Sequence, residues 1–481
     1  MGVVYQPAVA GKDLPMSTPE DQDTGLKRSL RSRHMTMISL GGVIGAGLFV
    51  GSGAVMNQTG PAAVVSYLLA GILVVLIMRM LGEMAVANPA VGSFVEYCRT
   101  ALGPRAGFTI GWLYWWFWAI VLAIEAVAGA TIMQRWLPGV PVWAMSLAVM
   151  LLLTATNLVS VKSYGEFEFW FASIKVAAII AFIAIAAGFL LGVGAGDSPG
   201  LSNLTAHGGF APEGGLTILS GVVIVIFAFV GAEIVTIAAA ESDEPERAVA
   251  RATNQVVGRV LVFYVLAIFL IVCIVPWNNA KLGESPFIAA LDTIGIPGSA
   301  DIMNAVVVTA VLSCLNSGIY VASRMLFALA RRGDAPQALL EVNGRGVPVK
   351  AILLSVSVGF VSVIFDAISP DKVFLFLVNS SGAVALFCYL LIALAELRTR
   401  RRLEAETPER LKLRMWLFPW LTYVAIAAMV AVIAAMALVD DVRSQLIPSF
   451  ISLAVVLVAA WLRYRQSGER ATVGGTQPSR T

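Results

Sequence analysis

The sequence predicts an all-α polytopic membrane protein of twelve transmembrane helices, with the first and sixth helices broken near mid-depth. Three observations carry this prediction. The 481 residues are 58% hydrophobic and 13% charged, with a mean hydropathy of +0.83, a balance that belongs to polytopic membrane proteins and not to soluble domains. Twelve apolar segments of ~20 residues, the length that crosses a bilayer as a helix, follow one another along the chain. Two of them, five spans apart, are interrupted at their centres by glycine.

The twelve segments run at about 34–57, 62–86, 105–134, 140–160, 166–194, 215–240, 256–277, 301–330, 350–367, 373–397, 416–437 and 446–464. An even number puts both termini on one side. With that side cytoplasmic, 29 of the 33 lysines and arginines fall in tails, inner loops and inner helix ends. Only Arg135, Lys281, Lys372 and Arg443 fall outside, the asymmetry that insertion into an inner (plasma) membrane demands. The strongest marker is the stretch Arg398 to Arg414, placed between the tenth and eleventh spans, which also suits contact with anionic lipid. Residues 1–33 and 466–481 are expected as cytoplasmic tails. The N-terminal one has no apolar signal segment, so the first span itself directs insertion. The four cysteines, Cys98, Cys273, Cys314 and Cys388, have neither metal-ligand nor redox spacing, so no disulfide, metal or cofactor is expected.

The first span contains GGVIGAGLFVGSG, Gly41 to Gly53, with six glycines in thirteen residues. Each costs about 1 kcal/mol relative to alanine inside a helix, so a break is expected through Gly41–Gly47. Within a membrane such unwound backbone survives only where it is buried in protein or lines a wet cavity. A half-helix starting near Ala46 would aim N–H groups at an anion, and the carbonyls of Gly42 and Val43 would face a cation. That pairing suits a zwitterion. The alternative is close helix packing, since Gly41/Gly45 and Gly47/Gly51 are GxxxG pairs. A phosphate-binding loop is excluded by the absence of a preceding strand and of a following Gly-Lys-Ser/Thr.

The second span ends in MRMLGEMA, where Arg79 and Glu83 are spaced as an i,i+4 pair. Residues 88–103 are placed along the inner face as a gate-lining or re-entrant segment. The third span, GWLYWWFWAIVLAIEAVAGA, carries Glu125; a carboxylate at that depth costs ~2.5–3.5 kcal/mol on insertion scales, so it is expected to face the bundle interior. The fifth begins SYGEFEFWFASIK and puts Lys175 ~15 Å along the helix from Gly165. Lys175 is either a cation standing where a co-transported ion would bind or a lysine snorkelling to the inner interface.

The sixth span repeats the theme of the first: FAFVGAEIVT holds Gly231 and Glu233 at the centre of an apolar helix. Breaks five spans apart predict two five-helix repeats of inverted topology, about 34–194 and 215–397, with the solute site at their interface. Ser313, Asn316 and Ser317 in the eighth span, and Ser380 and Ser381 in the tenth, either line the pathway or bond between helices. Spans eleven and twelve, 416–437 and 446–464, read as peripheral additions to a transporter domain of residues 34–465.

Several motifs, GVIGAGLFVGS, RMLGEMAVA, GWLYWWFW, YGEFEFW, FVGAEIVTIAAAESDEPE, SCLNSGIYVASRMLFALARRGDAP and LRMWLFPWLT, carry a resemblance over nearly all of residues 25–465. In these the chain resembles the amino-acid permeases of the amino acid, polyamine and organocation superfamily, among them the bacterial gamma-aminobutyrate (GABA) permeases. The resemblance implies a LeuT-like fold. It also implies that Ala46 and Gly47 N–H groups hold a substrate carboxylate, that the Val43 and Val230 carbonyls help hold its ammonium, and that Phe227 is an aromatic gate. Glu125 then lies near the substrate and Lys175 serves proton coupling. The chain departs from some relatives at Ala46, where they carry serine or threonine. The expected activity is proton-coupled uptake of GABA or a similar zwitterionic amino acid by alternating access. The alternatives are an amino-acid/amine exchanger or an importer of a neutral α-amino acid such as proline or alanine. An enzyme is not expected, because the chain has two histidines and no clustered catalytic set. The partners implied are substrate, protons and the lipid bilayer, with no nucleic acid.

Overall fold

Regular helix begins at Ala46 in the computed structural model, because Gly45, with φ −143° and ψ −144°, lies outside the helical region. The structure describes residues 44–88, 94–159, 161–193, 198–233, 245–279, 285–368 and 370–473. Helices α1 (Ala46–Phe49) and α2 (Gly51–Thr59) are separated only by a hitch at Val50. A tight turn at Gly60–Ala62 leads into α3 (Ala63–Ala87). Then follow α4 (Phe94–Leu102), α5 (Pro104–Met133), α6 (Val142–Val159) and α7 (Val161–Leu190). Helix α8 (Gly215–Phe227) ends in mid-span, α9 (Pro245–Arg259) passes through a π-helical stretch into α10 (Ala267–Ile274), and α11 is Pro286–Ile294. The chain continues as α12 (Ser299–Arg331), α13 (Val349–Ile368), α14 (Pro370–Glu406), α15 (Trp420–Leu438) and α16 (Asp440–Val473).

No strand occurs among the described residues. Nine of their helices are long and apolar enough to cross a membrane, one of them running from Ala46 through Ala87, and Gly215–Phe227 and Val349–Phe365 are shorter apolar helices. Burial sorts them. The most apolar windows of α5 and α14 are 83% and 72% buried, whereas those of α15 and α16 are 33% and 22% buried, which leaves the last two on the periphery.

Three features differ from the sequence reading or add to it. Helix α14 continues to Glu406, so Arg398–Arg402 are helical and not part of a connector; the segment is rich in helix formers, and Arg400–Glu404 and Arg402–Glu406 pair at i,i+4, 2.7 and 3.6 Å apart. Helix α11 falls between the seventh and eighth predicted spans, where the sequence reading assigned no element. It has Pro286 in its first turn and ends on Gly295 at φ +79°, a left-handed cap. Glu83 pairs with Arg400, 2.6 Å away, and accepts from the Met415 N–H, while Arg79 donates to the Arg414 carbonyl at 2.8 Å and lies over Trp416. Arg79 and Glu83 still attract each other as the i,i+4 spacing predicts, and long-range ties to Arg400 and the 414–416 segment are added to that pair.

The segment expected as gate-lining is helical over Phe94–Leu102, with Phe94, Val95, Tyr97 and Cys98 buried. Its Arg99 binds Asp334 and donates to the Tyr464 hydroxyl at 3.1 Å; Tyr464 in turn donates to Asp334 at 2.7 Å, and the Trp112 indole to the Asp334 carbonyl at 3.1 Å. The RGDAP motif thus braces α4, α5, α12 and α16 at one end of the bundle.

Close packing at that density leaves no room for a methyl at Gly382 of α14, where a Cβ would overlap the Val223 carbonyl oxygen of α8. Gly382→Ala is expected to destabilise the purified protein by about 1–3 kcal/mol, the usual cost of overpacking. Gly258→Ala, with open space around it, serves as the control. A thermal unfolding midpoint for Gly382→Ala equal to that of the control would contradict this packing.

Candidate functional site

A helix start inside the bundle leaves its first N–H groups without intrahelical partners, and in hydrocarbon no water supplies one. At α1 the partner is Glu125. The Ala46 N–H donates to Glu125 Oε1 and Oε2 at 3.1 and 3.0 Å, a charge-assisted contact at the positive end of the half-helix. The approach requires Gly45, because a Cβ there would stand 2.5 Å from Glu125 Oε1 and 2.7 Å from the Cys314 Cβ.

The second break follows Phe227. Hydrogen bonds from Ala228, Phe229 and Val230 fold back to Val225 and Ile226, and Gly231 turns the chain at φ +102°, a left-handed conformation that favours glycine. The Gly231 N–H donates to Glu233 Oε2 at 3.0 Å, and the Tyr389 hydroxyl of α14 to the same oxygen at 3.4 Å. Tyr264 donates to the freed Ala228 carbonyl at 3.2 Å. Each break therefore carries its own carboxylate, and the two breaks touch: a Cβ on Gly47 would stand 2.7 Å from Ala228 Cα.

Lys175 is fully buried, which removes the snorkelling alternative. Its Nζ lies 3.9 Å from Oε1 of Glu168, equally buried two turns earlier on α7. The Ser313 hydroxyl reaches both Glu168 oxygens at 2.7 Å, and Ser317 interacts with the same carboxylate. Lys175 also attracts Glu125 electrostatically. A line of polar groups thus runs from α1 through Glu125, Lys175 and Glu168 to α12.

Between the breaks is a cavity of about 10 Å³ lined by Gly47, Phe117, Trp118, Glu125, Phe227 and Val230. That is room for about one water. One turn further along α1–α2 and α5 opens a cavity of about 590 Å³, whose walls include Val50, Asn57, Ala128, Thr131 and Gln134. The rings of Phe227 and Phe117, 6.3 Å apart, stand at the small cavity.

The structure brings together Gly47, Glu125, Phe227 and Val230 around that cavity, with Ala46 bonded to Glu125, Lys175 and Ser313 joined through Glu168 together with Ser317, and Gly231 and Glu233 at the second break. Others point elsewhere. Asn316 accepts from Asn157 of α6 at 2.7 Å, the Ser381 hydroxyl donates to the Val378 carbonyl at 2.8 Å, and the Ser380 carbonyl accepts from Ser449 of α16 at 3.3 Å. These are bonds within and between helices. Val43 lies outside the described residues. Glu168, Tyr264 and Tyr389 were not singled out from sequence. Glu168 sits in the quoted run YGEFEFW, where its burial depended on which face of α7 met α12.

A sequence profile of the family described as amino acid permease matches residues 34–469. The chain belongs to the amino acid permease family. It is 53% identical over 450 residues to the gamma-aminobutyric acid permease of Bacillus subtilis (strain 168), covering 93% of this chain and 96% of that one. Identity to the gamma-aminobutyric acid permease of Escherichia coli (strain K12) is 49% over 422 residues, covering 87% and 90%. Among solved structures, the Eremococcus coleocola manganese transporter in complex with an aromatic bis-isothiourea substituted compound superposes with a TM-score of 0.53 at 12% identity, covering 93% of this chain and 99% of that one. The fold of this permease is accordingly that of the LeuT-like transporters, and the protein is a multi-pass membrane permease for amino acids, its relatives being transporters and not enzymes.

In this permease the Ser313 hydroxyl serves a carboxylate that no water reaches. Ser313→Ala is expected to lower stability in detergent by about 1.5–3 kcal/mol, the worth of a hydrogen bond to a charged group. Ser173→Ala, which removes only a bond to the Phe169 carbonyl on the same helix, should change it by less than about 0.5 kcal/mol. Equal melting temperatures for the two variants would show that Glu168 does not depend on Ser313.

Proposed function

We propose that the permease takes up GABA or a similar zwitterionic amino acid together with protons, by alternating access, with both termini cytoplasmic and twelve spans. The observation that carries this is the Glu125 carboxylate seated on the Ala46 N–H in the wall of a small cavity. The half-helix end is a ready-made anion site, and here a side chain holds it. A substrate carboxylate would take the N–H groups of Ala46 and Gly47 in its place, and the released Glu125 would turn to the substrate ammonium beside the Val230 carbonyl, with Val43 contributing a second. The cavity must widen to admit an amino acid, and the Phe227–Phe117 contact is the element that would part. The identity to GABA permeases supports GABA as the favoured substrate. Uptake of GABA against proline and alanine by reconstituted protein, with and without a pH gradient, tests this reading. A requirement for internal substrate would instead make the protein an exchanger.

The burial of Lys175 beside Glu168 supports proton coupling through this pair. A buried cation with three donors occupies the place where a metal cation would need oxygen ligands. Glu168 gives the proton a local partner and Ser313 ties the pair to α12, so loading and release can be felt by a helix that faces α1.

Two outcomes follow. Glu125→Gln keeps an oxygen acceptor for the Ala46 N–H but loses the charge, so it should fold with an unchanged melting temperature while binding GABA at least about tenfold more weakly, one charged hydrogen bond's worth. Equal affinity by direct binding would exclude Glu125 from the substrate. The double variant Lys175→Met/Glu168→Gln leaves no lone buried charge. It should retain GABA exchange across the membrane yet lose accumulation driven by an inside-alkaline gradient. Full pH-driven accumulation in that variant, or strict dependence of the parent on sodium, would remove the pair from coupling.

A further inference from the structure

A third cavity lies at the opposite end of the bundle from the large one, lined by the end of α3, by α4 and by the last turns of α14. Its volume is about 190 Å³, many times the ~10–15 Å³ that one water needs. Three arginines line it: Arg398 and Arg402, one helical turn apart on α14, and Arg410 in the short turn beyond. Tyr97, Thr100 and Thr399 add polar groups, and Ala87 and Leu403 give it an apolar floor.

Among the described residues no carboxylate lines this cavity. Arg402 has Glu406 at 3.6 Å, with both side chains more than half exposed, and an exposed pair of this kind holds its partner weakly. Among the described residues no carboxylate pairs with Arg398 or Arg410. The neighbouring arginines are committed elsewhere: Arg400 to Glu83 and Glu404, and Arg401 to the Tyr423 hydroxyl at 2.5 Å. A solvated basic helix face would present its guanidinium groups outward over a single element. The three arginines are exposed, yet all line one concavity whose other walls are α3 and α4, and guanidinium forks match the oxygens of a phosphate bidentately.

We propose that this cavity is a binding site for a phosphate group, holding α3, α4 and α14 together. Under the topology proposed above it faces the cytoplasmic leaflet, where anionic lipid headgroups lie and where each arginine near the surface strengthens attraction by about fivefold. The same phosphate chemistry is offered by soluble phosphate in the cytoplasm. The occupied site would bridge the inner end of α3 to α4, the helix that Asp334 also braces.

The test uses the full-length protein in phosphatidylcholine nanodiscs, and reads the thermal midpoint as either phosphatidylglycerol or inorganic phosphate is titrated in. The variants are Arg398→Gln/Arg402→Gln/Arg410→Gln and, should the triple variant fold poorly, Arg398→Gln alone. Arg401→Gln, outside the cavity, is the control. A rise in midpoint with phosphatidylglycerol that the control keeps and the triple variant loses supports the site with lipid as its source. The same pattern with inorganic phosphate supports it with a soluble source. The single variant should weaken the half-saturating concentration about fivefold. No response of the parent to either anion, or an equal response of the cavity variants and the control, overturns the proposal; so does GABA binding altered in the variants with no change in the anion response.

Discussion

Broken helices in hydrocarbon must find partners for the backbone groups they free, and the permease is arranged around that need. At the first break a carboxylate arrives from α5, 79 residues along the chain, to meet the Ala46 N–H; at the second, Glu233 folds back two residues to meet Gly231, and Tyr264 covers the Ala228 carbonyl. The two solutions differ in a way that matters for transport. Glu233 is a local cap, steadied by Tyr389 from the most buried part of α14. Glu125 is a remote one, and only tertiary packing keeps it on the helix end. A ligand carboxylate can compete for a remote cap without unravelling the helix it caps.

The breaks were legible in the sequence because glycine has a local cost that no neighbour hides, and the regular helix does begin at Ala46. The depth of Glu125 was legible for a similar reason: one charge in a long apolar run has nowhere polar to go except the interior. The occupant of the Ala46 N–H was not legible. From sequence that group looked free for substrate, and only the crossing of α1 and α5 shows that Glu125 already holds it. Glu168 escaped notice because FEFW carries its carboxylate near the start of a span, where an inner interface was an equally good home; its pairing with Ser313 spans 145 residues. Ser381 and Asn316 take one of their two sequence readings, with bonds within and between helices. Small polar residues in membrane helices satisfy themselves on adjacent backbone or across to the next helix as readily as they line a path, and spacing alone does not separate the two.

The polar line from Ala46 to Ser313 has a charge order that local reading could not supply. Two carboxylates, Glu125 and Glu168, flank one lysine, so the line as a whole is short of one positive charge. That deficit suits a site whose guest brings an ammonium, and equally one that gains a proton. Either arrival brings the buried charges toward balance, and the arrival of one weakens the electrostatic case for the other unless the second carboxylate is otherwise satisfied. Ser313 and Ser317 satisfy Glu168, while Glu125 has the Ala46 N–H, the Cys314 thiol and the attraction of Lys175. In the proposed function the substrate cation would sit at Glu125, which lines the small cavity, and the proton at the Lys175–Glu168 pair.

In the proposed alternating-access cycle, movement of the substrate past the second break would loosen one end of the bundle, and the ties there would set its difficulty. Asp334 joins α4, α5, α12 and α16, and Glu83 with Arg400 joins α3 to α14 under the 411–416 segment. Removing one partner from a buried ion pair costs about 3–5 kcal/mol because the other charge is stranded. Separating both partners into water costs far less, since each regains its hydration. An opening that admits water to these clusters as the helices part is thus cheap in a way that a dry rearrangement is not. This favours hinging at the ends of α3 and α14, where the charged residues already border solvent, over any route through the apolar middle of α5. The peripheral α16, tied in by Tyr464 and Ser449, then acts as a brace on that motion and not as part of the path.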